Sequence, residues 1–402
     1  MPLLPPPSVE SLDDILPQEP LLMMGAGPVP IPHKVAHANS IVINHLGETM
    51  NKVIEQVKAM GRYVFQTDSG HVLGVAGPGS AAMEMAIANL VAPGEKVLAI
   101  CNGYFSRRMA EMATRVGGEV TVLEVPNFEV ASAARVEEVL KGGDYKVVTI
   151  VQGETSNTVF NRELEAITRL ADAHGCVAIV DAVCTLSTMP LEMDAWKVDA
   201  VITGGQKGLS SIPGVSLLAL SRKAWRKIEQ RKHRMAHWCL DALLADNFWN
   251  KKSYHYTAPV SGVLAIHEAL RLVCEETLPR RFERHLVCSR ALQRGIEAMG
   301  LELLVPQAAR LNSVIGIKVP EGVSADAVRD TMSRVHRVEI SGSFGLEIVR
   351  IGQMGEQSRA HNLFRTLHAL GSSIQGAGAP LDLPAGIAEL EKGLAQETVT
   401  VA

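Results

Sequence analysis

The stretch from Val177 to Leu209 constrains this chain most. Val177-Ala178-Ile179-Val180 is a short apolar run rich in β-branched residues, and it stops at Asp181. Ala200-Val201-Ile202-Thr203 is a second such run, followed at once by Gly204-Gly205-Gln206-Lys207. Short apolar runs bounded by polar residues read as buried strands of a parallel sheet. Ligands of such open sheets bind outside the carboxyl ends of the strands. One strand here brings a carboxylate to that edge, and the other brings an amine.

Taken singly, each group has an ordinary explanation. An Asp after a strand often caps a helix or touches a ribose, and a Lys after two glycines can be a solvated loop charge. As a pair closing two strands, they match what pyridoxal 5'-phosphate (PLP) requires: a Lys for its Schiff base and an anion against its pyridinium nitrogen. The rest of the chain must then supply a phosphate cradle, a ring stack and a carboxylate clamp.

A chain of 402 residues with 47% hydrophobic content can bury a sizeable core and form two domains. Its formal net charge of −4 leaves no basic footprint for nucleic acid. The six cysteines lie at 101, 176, 184, 239, 274 and 288, with no C-x-x-C pair and no zinc-finger spacing, which suits a reducing compartment and no metal. No 18-residue apolar run predicts a membrane span. The N-terminus lacks a signal-peptide pattern, and the last residues carry no retention or peroxisomal tripeptide. A cytoplasmic protein is the expectation.

Along the chain, residues 1–20 hold six of the 20 prolines and predict an extended arm. Gly25-Ala26-Gly27-Pro28 marks a turn-rich segment, either a plain loop or a close backbone approach. The spacing of apolar residues predicts a helix over Asn39–Arg62. Strand Val72–Ala76 runs into Gly77-Pro78-Gly79-Ser80-Ala81-Ala82 and a helix. A helix N-terminus after a glycine turn suits an anion, although such turns also serve helix–strand packing. The turn fits neither a P-loop nor a G-x-G-x-x-G fingerprint. Strand Lys96–Cys101 ends at Asn102-Gly103-Tyr104-Phe105, where an aromatic either stacks on a flat ring or packs in the core.

Strand Lys146–Val151 ends at Gln152-Gly153-Glu154-Thr155-Ser156. The strand–helix alternation over Val72–Ser221 predicts a mostly parallel sheet with helices on both faces. Its carboxyl ends collect Ser80, Phe105, Thr155, Asp181 and Lys207. Arg222–Arg234 reads as a helix with a solvated basic face, and Phe248–Pro259 as a polar aromatic loop. From about Leu278 the pattern shifts to helices with antiparallel-type strands, a smaller α+β unit. There Arg350, between Val349 and Ile351, either forks a carboxylate or is an ordinary ion-paired strand residue. Gly376–Ala402 reads as a turn, a final helix and a frayed tail.

These segments resemble class V, fold type I PLP-dependent aminotransferases, the group of the alanine–glyoxylate, serine–glyoxylate and ureidoglycine–glyoxylate enzymes. Tyr63–Thr67, Gly77–Glu84, Gly153–Ser156, Val180–Val183, Gly205–Lys207, Tyr254–Thr257 and Val349–Gly352 carry the resemblance, which spans about residues 22–370. It implies a large PLP-binding domain over 21–277 and a small domain over 278–402. It implies Lys207 as the Schiff-base lysine and Asp181 as the acid on the ring nitrogen. Val183 and Phe105 flank the ring, the latter where relatives often carry Trp. Thr155 lies near the ring oxygen. Ser80, Ala81 and Gln206 hold the phosphate. Tyr254 and Thr257 reach it from a partner subunit, so a homodimer with shared sites is implied. Arg350 clamps the substrate carboxylate, with Gly27 beside it.

The implied reaction is a ping-pong transfer of an amino group between a small amino acid and a 2-oxo acid. Ureidoglycine enzymes tend to carry Asn where this chain has Tyr254, which favours alanine or serine as donor. The Gly153–Ser156 segment and the Ser341–Gly345 loop resemble the ureidoglycine enzymes as much. A pyridoxamine–pyruvate enzyme needs extra basic groups that this loop lacks. A desulfurase needs a Cys on a mobile loop.

Overall fold

Seven apolar runs pair into one sheet in the computed structural model, which describes residues 4–343 and 345–398. In chain order they are β1 (His71–Ala76), β2 (Lys96–Cys101), β3 (Glu119–Glu124), β4 (Val147–Val151), β5 (Val177–Asp181), β6 (Ala200–Ile202) and β7 (Val215–Leu220). The spatial order is β1-β7-β6-β5-β4-β2-β3. β6, β5, β4, β2 and β3 pair in parallel. β7 alone runs against its neighbours, β1 and β6. Every residue of β4, β5, β6 and β7 is buried, as strands covered by helices on both faces must be. β3 closes one edge with charge: its Glu124 is paired with Arg107 at 2.6 Å, which blunts an otherwise open strand. The sheet is thus mostly parallel, as the strand–helix alternation predicts.

Two of the surrounding helices matter most for the site. α1 (Gly79–Leu90) leaves the carboxyl end of β1, and α2 (Tyr104–Arg115) leaves that of β2. α3 (Val260–Glu276) and α4 (Leu278–Ala298) follow later and are separated by Thr277, whose φ of 69° breaks the helix. Glu276 at this break binds Arg281 at 2.6 Å and also pairs with Arg284. Arg281 in turn donates to the Gly208 carbonyl at 2.6 Å, and Arg284 donates to the carbonyls of Gly355 and Ser358 at 2.9 and 2.8 Å. This knot ties the helix break to the loop after Lys207 and to the turn after Arg350.

A second core gathers Met24 with α4 residues such as Leu292 and Ile296, and with Ile317, Val349, Ile351, Leu367 and Leu390. Its strands β8 (Val314–Lys318) and β9 (Ile348–Gly352) are antiparallel, with Arg350 opposite Gly316. Leu22–Met23 pairs in parallel with Val338–Glu339, so the N-terminal segment is stitched to the C-terminal strands.

Two expectations change, and one helix is new. The helix expected over Asn39–Arg62 is two helices, His33–Asn39 and Glu48–Phe65. Ile41, Val42 and Leu46 continue the helical spacing but lie exposed, with no core to pack on. Asn44 turns the chain by accepting the Leu46 N–H at 3.0 Å. The loop expected from Phe248 begins inside a helix, Ala242–Trp249, whose N-terminus Asp241 caps by accepting the Leu243 N–H at 2.9 Å. The long helix Ala360–Gly376 had no counterpart in the sequence reading. Residues 4–20 are exposed throughout, with one helical turn at Leu12–Ile15. The final helix covers Leu383–Thr398, and the tail beyond it lies outside the described residues.

Candidate active site

A cleft of about 600 Å³ opens at the carboxyl ends of the parallel strands. Ser80, Phe105, Thr155, Asp181, Val183, Gln206 and Lys207 all line it, together with Gly79, Met83, Arg108, Gly153 and Cys184. Residues from five separate strand ends therefore meet around one space, at the end of the sheet where ligands of this architecture bind. Among the described residues no group of His, Cys, Asp and Glu is arranged to hold a metal, and no helix is long and apolar enough to cross a membrane.

Burial sets the chemistry of the two ionisable groups. Asp181 is the last residue of β5, and its Oδ1 accepts the Val183 N–H at 2.8 Å. Burial pushes its carboxyl up to about 7, with the Val183 N–H pulling the other way. Such an acid calls for a positive group or a strong donor above it. Lys207 follows β6, and its Nζ donates to the Ala26 carbonyl. Burial lowers the Lys207 pKa, the nearby Cys184 opposes this, and the Arg350 cation lowers it further. An amine held in this way gives up its proton more readily than a solvated lysine.

The start of α1 carries groups of the kind that can hold an anion. Gly77, at φ 125°, makes the turn out of β1, a backbone region that glycine alone visits freely. Gly79 must also be small, since a Cβ there would stand 2.8 Å from Val183 Cγ2. The first turn of α1 points its unpaired N–H groups outward, and Ser80 adds a hydroxyl. Gln206 Oε1 is buried with no hydrogen-bond partner. Rotation of that amide turns an orphaned acceptor into a donor for an anion. A raised acid, a buried lysine and a helix N-terminus beside the orphaned Gln206 amide, all in one cleft, fit a phosphorylated pyridine aldehyde. Ala81 belongs to the same helical turn, but its N–H is engaged by the Pro78 carbonyl at 2.8 Å.

Phe105 is fixed from below by Glu154, a residue of the segment that follows strand Val147–Val151. Glu154 is 0% exposed. Its carboxylate accepts the N–H groups of Phe105 and Ser106 at 3.1 and 3.0 Å, and the Ser156 hydroxyl at 2.6 Å. A buried carboxylate is stabilised here by the N-terminus of α2. Arg350 lies behind Thr155. Its Nη1 donates to the Thr155 carbonyl at 2.5 Å and its Nε to the Gly342 carbonyl at 2.6 Å. Burial lowers the Arg350 pKa to about 10, which leaves it charged at neutral pH.

The Gly25–Gly27 segment crosses the cleft next to Lys207. Ser341 Oγ accepts the Ala26 N–H at 2.9 Å, and Gln357 donates to the Gly25 carbonyl at 2.7 Å. Tyr254 and Thr257 lie elsewhere. Both are exposed, and the Tyr254 ring meets His45 edge-on at 6.0 Å. Within one protomer they do not line the cleft.

Arg108, Met83 and Cys184 also line the cleft without having been singled out as site residues. Arg108 donates to Ser80 Oγ at 2.8 Å. Its one sequence signal is its place three residues after the Tyr104-Phe105 pair, where a helical turn returns it to the same face. Cys184 donates to the Gly153 carbonyl at 3.1 Å, and burial pushes its thiol up to about 12. A thiol so buried is no mobile nucleophile.

Comparison with known proteins agrees with this geometry. The family model "Aminotransferase class-V" matches residues 33–349. An alanine–glyoxylate aminotransferase of Drosophila melanogaster is 32% identical over 382 residues, covering 93% of this chain and 96% of that relative. The crystal structure of an alanine–glyoxylate aminotransferase from Nostoc sp. superposes with a TM-score of 0.87 at 32% identity, over 91% of this chain and 100% of that one. A ureidoglycine–glyoxylate aminotransferase from Bacillus subtilis superposes with a TM-score of 0.91 at 28% identity, over 94% and 99%. The chain belongs to the class V aminotransferases, PLP-dependent transaminases of fold type I.

Proposed function

We propose that this aminotransferase takes alanine or serine as amino donor and glyoxylate or pyruvate as acceptor, in a ping-pong sequence. The observation that carries the reading is that Lys207 and Asp181 line one cleft whose wall at Thr155 is fastened to Arg350. Small residues beside Lys207, Ala26 and Cys184, belong to an apolar cluster and suit a donor with a small side chain. Relatives named alanine–glyoxylate aminotransferases support the same choice.

PLP, when bound, supplies an electrophilic carbon for the amine and a ring that accepts the electron pair left on the substrate α-carbon. The residues do the rest. Arg350 orients the donor carboxylate as a planar fork. The Lys207 amine would take the proton from the substrate α-carbon and hold it within the cleft. Asp181 keeps the ring nitrogen protonated. Phe105 and Val183 flank the ring, and Thr155 faces the ring oxygen. Ser80 and Gln206 hold the phosphate, with Ala81 packed in the same helical turn, and Gly27 leaves room for the substrate. In a ping-pong sequence the first oxo acid leaves before the second enters the same cleft.

Tyr254 and Thr257 complete the phosphate site of a second copy, in a homodimer. Their exposure supports this, as do the exposed Ile41, Val42 and Leu46 on either side of His45, which contacts Tyr254. The assembly is organised as a large domain over 21–277 and a small one over 278–402, and it works in the cytoplasm.

A second reading is ureidoglycine as donor, favoured by the fit to the Bacillus subtilis structure. A screen pairing alanine, serine and ureidoglycine with glyoxylate and pyruvate decides between them. Turnover with alanine or serine at least tenfold above ureidoglycine in kcat/KM is expected. The reverse order would replace the first reading by the second.

A further inference from the structure

A buried phosphate dianion needs positive charge as well as neutral donors, because hydroxyl and amide groups alone offset only part of its desolvation. The cradle at the start of α1 offers a hydroxyl from Ser80, an amide from Gln206 and helix N–H groups, all neutral. Of the residues that line the cleft, two are cationic, Lys207 and Arg108. Lys207 is committed to the Schiff-base carbon and is turned to the Ala26 carbonyl. That leaves Arg108.

The position of Arg108 is built. It sits in the second turn of α2, and its Nη1 reaches Ser80 Oγ at 2.8 Å, across from one helix to the start of the other. Its guanidinium carbon lies 4.9 Å from the centre of the Phe105 ring and 5.2 Å from that of Tyr104. Contact with two ring faces restrains the guanidinium plane at little entropic cost. The same ring, Phe105, has its backbone pinned by buried Glu154. A chain of contacts therefore runs from Glu154 through Phe105 to Arg108 and ends on the hydroxyl that opens the cradle.

We propose that Arg108 is the fixed cation of the phosphate site: it binds the phosphate of PLP alongside Ser80 and so makes the cleft selective for the phosphorylated aldehyde. This rests on the reading that Ser80 and Gln206 hold that phosphate. A charge-assisted bond of this kind contributes about 1.5–3 kcal/mol, which corresponds to roughly a 10- to 100-fold change in affinity.

The test is titration of the apo protein with PLP and, separately, with pyridoxal, which lacks the phosphate, following the absorbance of the Lys207 Schiff base. In Arg108→Gln the PLP affinity should fall about 10- to 100-fold, the pyridoxal affinity should stay within about twofold, and the PLP loss should shrink in Arg108→Lys. Should the Gln variant not fold, as judged by circular dichroism, the Lys variant carries the test. It keeps the charge but loses the planar fork, so its PLP affinity should fall severalfold with that for pyridoxal unchanged. Equal losses for both aldehydes, or phosphate selectivity intact in every folded variant, would overturn the assignment alone. A wild-type protein that binds pyridoxal as tightly as PLP would overturn the phosphate-cradle reading along with it.

Discussion

The backbone of Gly27 lies against the side chain of Lys207, so close that a Cβ added to Gly27 would stand 2.5 Å from Nζ, 2.7 Å from Cδ and 2.8 Å from Cε. Gly27 also adopts φ of 104°, where a side chain is strained whatever the space. Gly27→Ala should therefore displace the amine while leaving the rest of the fold in place. We expect turnover to fall by about 100-fold or more, because a misplacement of about 1 Å costs that much. Steady-state kinetics beside a thermal melt will separate this from general instability.

Lys207→Ala should abolish turnover, by more than about 10⁴-fold, since on the proposed reading it removes both the attachment point and the proton carrier. Circular dichroism should match the parent protein. Borohydride treatment of the PLP-loaded parent should label Lys207 by mass spectrometry. Substantial activity in the alanine variant would remove this lysine from the mechanism.

The buried acid predicts a pH dependence. Burial pushes the Asp181 carboxyl up to about 7 in the folded protein, against an ordinary 3.8. Between those values the folded chain holds more protons than the unfolded one. Its stability is therefore greatest below about pH 4 for this group, and it declines as pH rises towards 7. The decline has an upper bound of about 4 kcal/mol. Urea unfolding of apo Asp181→Asn across that window should show a flatter profile than the parent. Parallel profiles would mean that Asp181 is already ionised in the folded apo protein.

Glu154→Gln should loosen the seat of Phe105. The variant turns an amide donor towards the N–H groups of Phe105 and Ser106, which now point at a carboxylate. We expect a loss of about 1–3 kcal/mol in unfolding free energy. A change in the absorption spectrum of the bound cofactor should accompany it. An unchanged melt and spectrum together would show that the cap is dispensable.

Glu276→Gln breaks the knot at Thr277. Arg281 is buried, and the Glu276 carboxylate is its ion partner. Removing one member of a buried pair costs about 3–5 kcal/mol. The partial exposure of Glu276 brings the expectation towards the lower figure. Because the Arg281 and Arg284 bonds reach the Gly208 and Gly355 carbonyls, the KM for the amino acid should rise as well, which initial-rate measurements will report.

The strands were legible because burial on both faces writes itself as unbroken apolar runs. Val147–Val151 and Val177–Asp181 are such runs, and both lie at the centre of the sheet. Asp181 and Lys207 were legible for the same reason, as the polar residues at which the runs stop. Helix boundaries were less so. Ile41, Val42 and Leu46 keep a helical spacing that no core rewards, and Ala242–Trp249 is announced only by the capping Asp241. Glu154 meets Phe105 across 49 residues of chain and Arg108 meets Ser80 across 28; no local pattern records the first, and the second has only the helical spacing of Arg108 from Phe105.

β7 has a further consequence. It is inserted between β1 and β6 and runs against both. Adjacent strands lie about 4.8 Å apart, so β1 and β6 run about 10 Å from each other, with Ile202 at the end of β6 level with Leu73 of β1. The turn to Ser80 thus grows from one strand and the turn to Lys207 from the other, and the two turns meet over the reversed strand, where a Cβ on Gly204 would stand 3.3 Å from the Gly79 nitrogen. Shortening or lengthening side chains within the cleft leaves that spacing untouched, whereas a slip of β7 by one residue would shift both turns at once.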